Sequence, residues 1–171
     1  KGKLFMRTNT YIKLELLYKK HTGYLETRKI LEEGFSNRQI AVLVKEGYLE
    51  KVTHGYYWLA DGQCKKPQDY KCIEVCLSNP KAVICMDSSL YYQKVSTKEP
   101  EYLSVATERT DRSILKMNFP TRRHYFSGRN FQIGLRKRET EFGYYYIYDV
   151  ERSLCDIRRL EPENSFEIMD Y

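Results

Sequence analysis

The stretch FSNRQIAVLVKEGYLEKVTHGYYWLA, residues 35–60, decides the reading of the N-terminal third of the chain. Ser36 suits an N-cap, and Gln39 three positions on completes a capping box, so a helix begins here. Ile40, Leu43 and Val44 follow at helical spacing and form its inner face. Gly47 ends the helix. YLEKVT and YYWLA then read as two strands, joined by a two-residue turn at His54-Gly55 in which the glycine takes a positive φ.

Upstream, Tyr11, Leu14, Leu17 and Tyr18 recur at helical spacing among lysines, which predicts an amphipathic helix over residues 10–21 ahead of Gly23. Tyr24 and Leu25 make a short extended link. ETRKILEEG gives a helix of about two turns with Ile30 and Leu31 inward and Gly34 as the residue just past its end. Helix, helix, helix, hairpin is the order of a winged helix-turn-helix. The third helix turns Asn37, Arg38, Ala41, Val42 and Lys45 outward, a polar N-terminal turn over a slim body that fits a major groove about 12 Å wide. Ser36, Asn37, Arg38, Gln39 and Lys45 on the helix, with Lys51, Thr53 and His54 on the wing, are the expected contacts to double-stranded DNA. Tyr56, Tyr57 and Trp58 are expected to pack the hairpin, at least one of them against the first helix. A protein-docking module with the same helices and hairpin is the competing reading.

The net charge of +6 is unevenly spread. Residues 1–60 carry 11 Lys and Arg against 6 Asp and Glu, residues 61–111 carry 7 against 8, residues 112–138 carry 8 against none, and residues 139–171 carry 3 against 9. Two basic blocks suggest an anionic partner without naming it. No run of eighteen apolar residues occurs, which predicts a soluble, cytoplasmic chain with no membrane partner. Five cysteines, an odd number, suit a reducing compartment better than a disulfide framework.

Gly, Pro and Lys in DGQCKKPQDY mark a linker at residues 61–70, which divides the chain into a DNA-binding domain, residues 1–62, and a second domain, residues 63–171. The second domain reads as α+β, a small mainly antiparallel sheet flanked by helices. Residues 71–95 are helical with a break at Asn79-Pro80 and a second helix over residues 88–92. YLSVAT, ILKMNF, RHYFSG, QIGLRKRE and YYYIYD are expected strands, and VERSLCDIRRL returns to helix. Cys64, Cys72, Cys76 and Cys85 show no C-x-x-C knuckle, so no metal and no cofactor are expected. Cys85 with His124 lacks an orienting carboxylate at recognisable spacing, and no catalytic residue or enzymatic activity is expected. Asp149, Glu151 and Asp156 are expected to cap the last helix and complement its dipole. Arg122, Arg123, Arg129, Arg136, Lys137 and Arg138 are expected at strand ends or on alternating strand positions, several of them sharing one basic surface. That surface suits a solvated face, extended DNA contact, self-association or RNA.

GYLETRKILEEGFSNRQIAVLVKEGYLEKVTHGYYWLADG, ICMDSSLYYQKV and HYFSGRNFQIGLRKRETEFGYYYIYDVERSLCDI, in that order, resemble the AbiEi antitoxins of abortive-infection, type IV toxin–antitoxin systems. The shared pattern is a glycine-punctuated recognition helix and wing, then Phe-x-Gly, a glycine-turned hairpin and an E-R-[ST]-L-x-D helix start. It spans roughly residues 11–160, and EPENSFEIMDY departs from the basic helix with which the family continues. The resemblance implies a transcriptional repressor and antitoxin that binds inverted repeats in its own promoter and regulates its own operon. It also implies opposition to a nucleotidyltransferase toxin without a required stable complex. Inverted repeats need two copies, and without visible heptads the chain is expected to pair through its second domain or to cooperate only once bound to DNA, and to be a monomer in solution.

Overall fold

Leu14 and Leu17, three apart on α1 (Thr8–Lys20), are buried together, and they fix which side of that helix faces the N-terminal core. The computed structural model describes residues 8–21, 23–59 and 65–161. The chain divides into two compact units, Lys1–Pro67 and Gln68–Tyr171. The boundary expected between residues 62 and 63, Cys64 and the acidic residues 162–171 lie outside the described residues.

In the first unit α1 is followed by β1 (Tyr24–Glu26), α2 (Thr27–Glu32), α3 (Asn37–Lys45), β2 (Leu49–Thr53) and β3 (Tyr56–Leu59). Tyr24 and Leu25, expected as a bare link, are strand residues: β1 pairs antiparallel with β3, and the sheet order is β1-β3-β2. β3 is therefore the central strand, which explains the burial of Trp58 and Leu59 on it. Leu14, Leu17, Ile30, Ile40, Leu43 and Leu49 share one apolar cluster, each contributing about 1.5–3 kcal/mol of burial. Tyr57 and Tyr18 pack at its margin, and the Tyr18 hydroxyl donates to the Tyr48 carbonyl at 2.6 Å. The Tyr24 and Trp58 rings meet edge to face at 4.8 Å.

The second unit runs α4 (Tyr70–Ser78), β4 (Val83–Ile84), α5 (Met86–Tyr92), β5 (Leu103–Glu108), β6 (Thr121–Phe126), α6 (Gly128–Phe131), β7 (Leu135–Thr140), β8 (Gly143–Tyr148) and α7 (Val150–Leu160). Its five strands are ordered β6-β5-β4-β8-β7. The sheet is mixed, not mainly antiparallel: β4–β8 and β5–β6 are parallel, β4–β5 and β7–β8 antiparallel. α4 packs on β8, and α5 packs on β5 and α7. ILKMNF is not a strand, and the parallel β5–β6 pair supplies the reason. Parallel strands need a connection that travels back along their length, and residues 109–120 are that return. Polar groups fasten the return to β6. Arg123 donates to the carbonyls of Ser113 at 2.5 Å and Asp111 at 3.2 Å, and the Asn79 amide donates to Asp111 Oδ2 at 2.7 Å. Burial opposes the Asp111 charge, yet hydrogen bonds from Ser113 and Asn79 and the Arg123 guanidinium hold its carboxyl down at about 2. QIGLRKRE is a strand only from Leu135, because α6 and a turn at Gly134 take up its beginning. Among the described residues no helix is long and apolar enough to cross a membrane.

Candidate nucleic-acid interface

Ser36 is extended and caps α3: its hydroxyl accepts from Gln39 N at 3.2 Å, while Gln39 Oε1 accepts from Ser36 N at 2.8 Å. The capping box expected from the sequence is formed, and it commits polar atoms of Ser36 and Gln39 to the helix end. The side chains that stand clear beside them are Asn37 and Arg38, both exposed at the N-terminal turn. Arg38 and Lys45 are seven residues apart, two turns and about 10.5 Å along one face. Ala41 and Val42 between them are exposed too, so this face is slim in the middle and cationic at both ends.

Below α3 the β2–β3 hairpin closes through His54 and Gly55, with Thr53 opposite Tyr56 and Gly55 at φ +81°. That backbone conformation strains any L side chain and is open to glycine. The hairpin register shifts between Lys51 and Thr53, with Val52 buried there. Lys51 and His54 are exposed, and Thr53 is half-buried. The Gly55 carbonyl accepts from Thr27 N at 2.8 Å and Thr27 Oγ1 at 3.1 Å, which ties the turn to the start of α2. Eight expected contact residues therefore lie on one helix and one hairpin of a single unit, with Asn37, Arg38, Lys45, Lys51 and His54 exposed.

Of the six cationic residues of the second unit, several of which were expected to share one surface, three share a strand and the others lie elsewhere. Arg122 and Arg123 lie on β6, and Arg136, Lys137 and Arg138 on β7. These are the two opposite edges of the sheet, four strand spacings or about 19 Å apart. Arg129 sits on α6. Arg123 is committed to Thr107 and the 111–113 segment. Arg122 pairs with Glu161 at 3.0 Å and lies over the Tyr102 ring. Arg136 reaches Asp149 at 3.5 Å, and Lys137 reaches Glu139 at 2.7 Å and caps the Tyr144 ring. What remains as a cationic row is the β7 edge, whose Arg136, Lys137 and Arg138 are all exposed.

Cys72, Cys76 and Cys85 are buried packing groups, whereas Cys155 on α7 is exposed. Burial pushes the thiols of Cys72 and Cys85 far up and that of Cys76 up to about 11, so all three are protonated at neutral pH. Burial lowers the His124 pKa, against the pull of Glu161, Asp87 and Asp156 and with the push of Arg122, and His124 Nε2 is buried without a hydrogen-bond partner among the described residues.

The acids around α7 divide. Asp149 caps the helix, accepting from Arg152 N at 3.0 Å, and Glu151 lies in the first turn. Asp156 does not cap. It is buried two turns in and binds Arg152 Nε at 2.7 Å and Arg159 Nη2 at 3.2 Å. Arg152 also donates to the carbonyls of Asn130 at 2.5 Å and Ile133 at 3.0 Å, and its guanidinium lies 4.6 Å from the Tyr148 ring. Arg152, held by Asp156 on the same helix, therefore ties α7 to α6 and the turn that follows it. Arg and Asp at i and i+4 on a helix were the sequence signal for this pair. Compared with known protein families and with curated proteins, the chain matches none.

Proposed function

We propose that the chain is a DNA-binding transcriptional repressor that reads duplex DNA with α3 and grips the backbone with the β2–β3 hairpin. The observation that carries this reading is the α3 face: a capped N-terminus presenting Asn37 and Arg38, a slim body at Ala41 and Val42, and Lys45 two turns on. The order α1-β1-α2-α3-β2-β3, with β1 on β3, supports a winged helix, in which the hairpin is the wing. Five exposed donors on these two elements suit the division of labour in which phosphate contacts position and base contacts specify. The resemblance to the AbiEi antitoxins adds the rest of the proposal: autoregulation through inverted repeats, and antitoxin action against a nucleotidyltransferase toxin.

Two substitutions test the assignment. Arg38→Ala is expected to cost about 1–3 kcal/mol on the specific site and little on random duplex, because the lost contact is to a base edge. Lys51→Ala is expected to weaken both duplexes alike and to lower the salt slope by about one unit, because the lost contact is to a phosphate. Equal losses from Arg38→Ala on both duplexes contradict base readout by α3.

A further inference from the structure

α1 is apolar on two sides. Its inner side fills the core through Leu14 and Leu17, yet Tyr11, Ile12 and Leu16 stand 49%, 49% and 57% exposed. At 100° per residue Ile12 and Leu16 project almost directly away from the core, with Glu15 and Lys19 along one flank and Tyr11 beyond them. Lys13 and Lys20 project on the other flank, where Lys13 donates to the Gly34 carbonyl and Lys20 binds Glu33. Half-exposed Ile, Leu and Tyr clustered on one short helix mark a contact surface rather than scattered apolar residues.

We infer that this outer face of α1 is a contact between two copies of the chain, helix against antiparallel helix about a two-fold axis near Leu16. The face is self-complementary. A two-fold axis between the helices sets like flank against like flank with the direction reversed. Leu16 then meets Leu16 of the second copy, and each Glu15 falls within a turn of the other copy's Lys19. The antiparallel arrangement also sets the helix dipoles in opposition.

The size of the face determines when it acts. Asn9, Tyr11, Ile12, Glu15, Leu16 and Lys19 are six residues a side, against about 20–30 a side in a stable interface. Such a contact is too small to hold a dimer at micromolar concentration. It becomes occupied when two copies sit on adjoining half-sites, where the local concentration is of millimolar order. That last step rests on the proposed reading of inverted repeats; the contact itself does not.

The test uses the full chain with duplexes from its own upstream region carrying one or two half-sites. Leu16→Glu is expected to leave one-site affinity and the thermal midpoint unchanged while abolishing cooperative filling of two sites. Glu15→Lys alone and Lys19→Glu alone are each expected to reduce cooperativity several-fold, and the two together to restore it. In a DNA-free arm, sedimentation equilibrium at several hundred micromolar is expected to show association in the parent chain and none in Leu16→Glu. A chain that binds no DNA but associates through Leu16 sinks the DNA reading and keeps the contact. Equal association with and without Leu16→Glu overturns the contact, as does a large drop in thermal midpoint, which would place the face inside the chain's own packing. Failure of the paired charge reversal to restore cooperativity overturns the two-fold arrangement.

Discussion

Removing the Arg152 side chain is the sharpest perturbation of the second unit. Arg152 and Asp156 are 9% and 5% exposed, so their pairing is made out of water, and Arg152→Ala leaves an anion with its main partner gone. Breaking one side of a buried pair costs about 3–5 kcal/mol. Arg159 still reaches Asp156 at 3.2 Å from a half-exposed position, which retains part of the compensation and places the expected loss near the lower bound. The carbonyls of Asn130 and Ile133 also lose their donor. At a urea m-value of about 2 kcal/mol/M, a loss of about 3 kcal/mol lowers the unfolding midpoint by about 1.5 M. The assay is urea unfolding followed by far-ultraviolet circular dichroism, with Trp58, the single tryptophan and a residue of the other unit, as an internal reference. Arg152→Met with Asp156→Leu is expected to recover most of the loss, because an apolar pair of similar volume leaves no buried charge. A midpoint shift below about 0.3 M for Arg152→Ala, or a double variant no better than the single one, refutes the claim that this pair holds α7 in place.

Two further outcomes follow from local geometry. Gly134 has φ +74°, and a Cβ there would lie 2.7 Å from Arg152 Cβ and 2.8 Å from Asp149 Oδ1, so Gly134→Ala is expected to lower the thermal midpoint of the second unit by several degrees; an unchanged midpoint in calorimetry contradicts the close approach. His124 is half-buried, with its Nε2 shut off from solvent and its pKa lowered from 6.5, so the unfolded chain binds the extra proton first: the stability tied to its neutral form is complete above about pH 6.5 and is lost as pH falls towards the lower folded value. His124→Gln is accordingly expected to flatten the fall in thermal midpoint between pH 7 and pH 5, and parallel curves for the two proteins contradict the desolvation of its neutral imidazole.

Local signals were the legible part of the sequence. Ser36 and Gln39 announced the start of α3, Gly55 the hairpin turn, and the Ile40 and Leu43 spacing the buried side of the helix, because each depends on neighbours within a few residues. Non-local pairing was hidden. ILKMNF has strand composition, but the parallel register of β5 on β6 turns it into a return segment. β4 is two residues long, too short to show alternation, yet it joins β5 to β8 in the middle of the sheet. The basic block was continuous in sequence and is divided in space for the same reason, since its strands β6 and β7 take opposite edges. The Arg152–Asp156 pair is visible as an i, i+4 spacing, but its burial comes from the packing of α6 and β8, which no local pattern shows.

The most direct test of the central claim is a fluorescence-anisotropy titration of the full chain with duplex DNA from its own upstream region, repeated over a salt series. Base readout by α3 with phosphate contacts from the hairpin requires saturable binding whose logarithmic affinity falls linearly with the logarithm of salt concentration, tighter on the upstream duplex than on random duplex of the same length. Binding that is absent, or that is indifferent to salt, contradicts it.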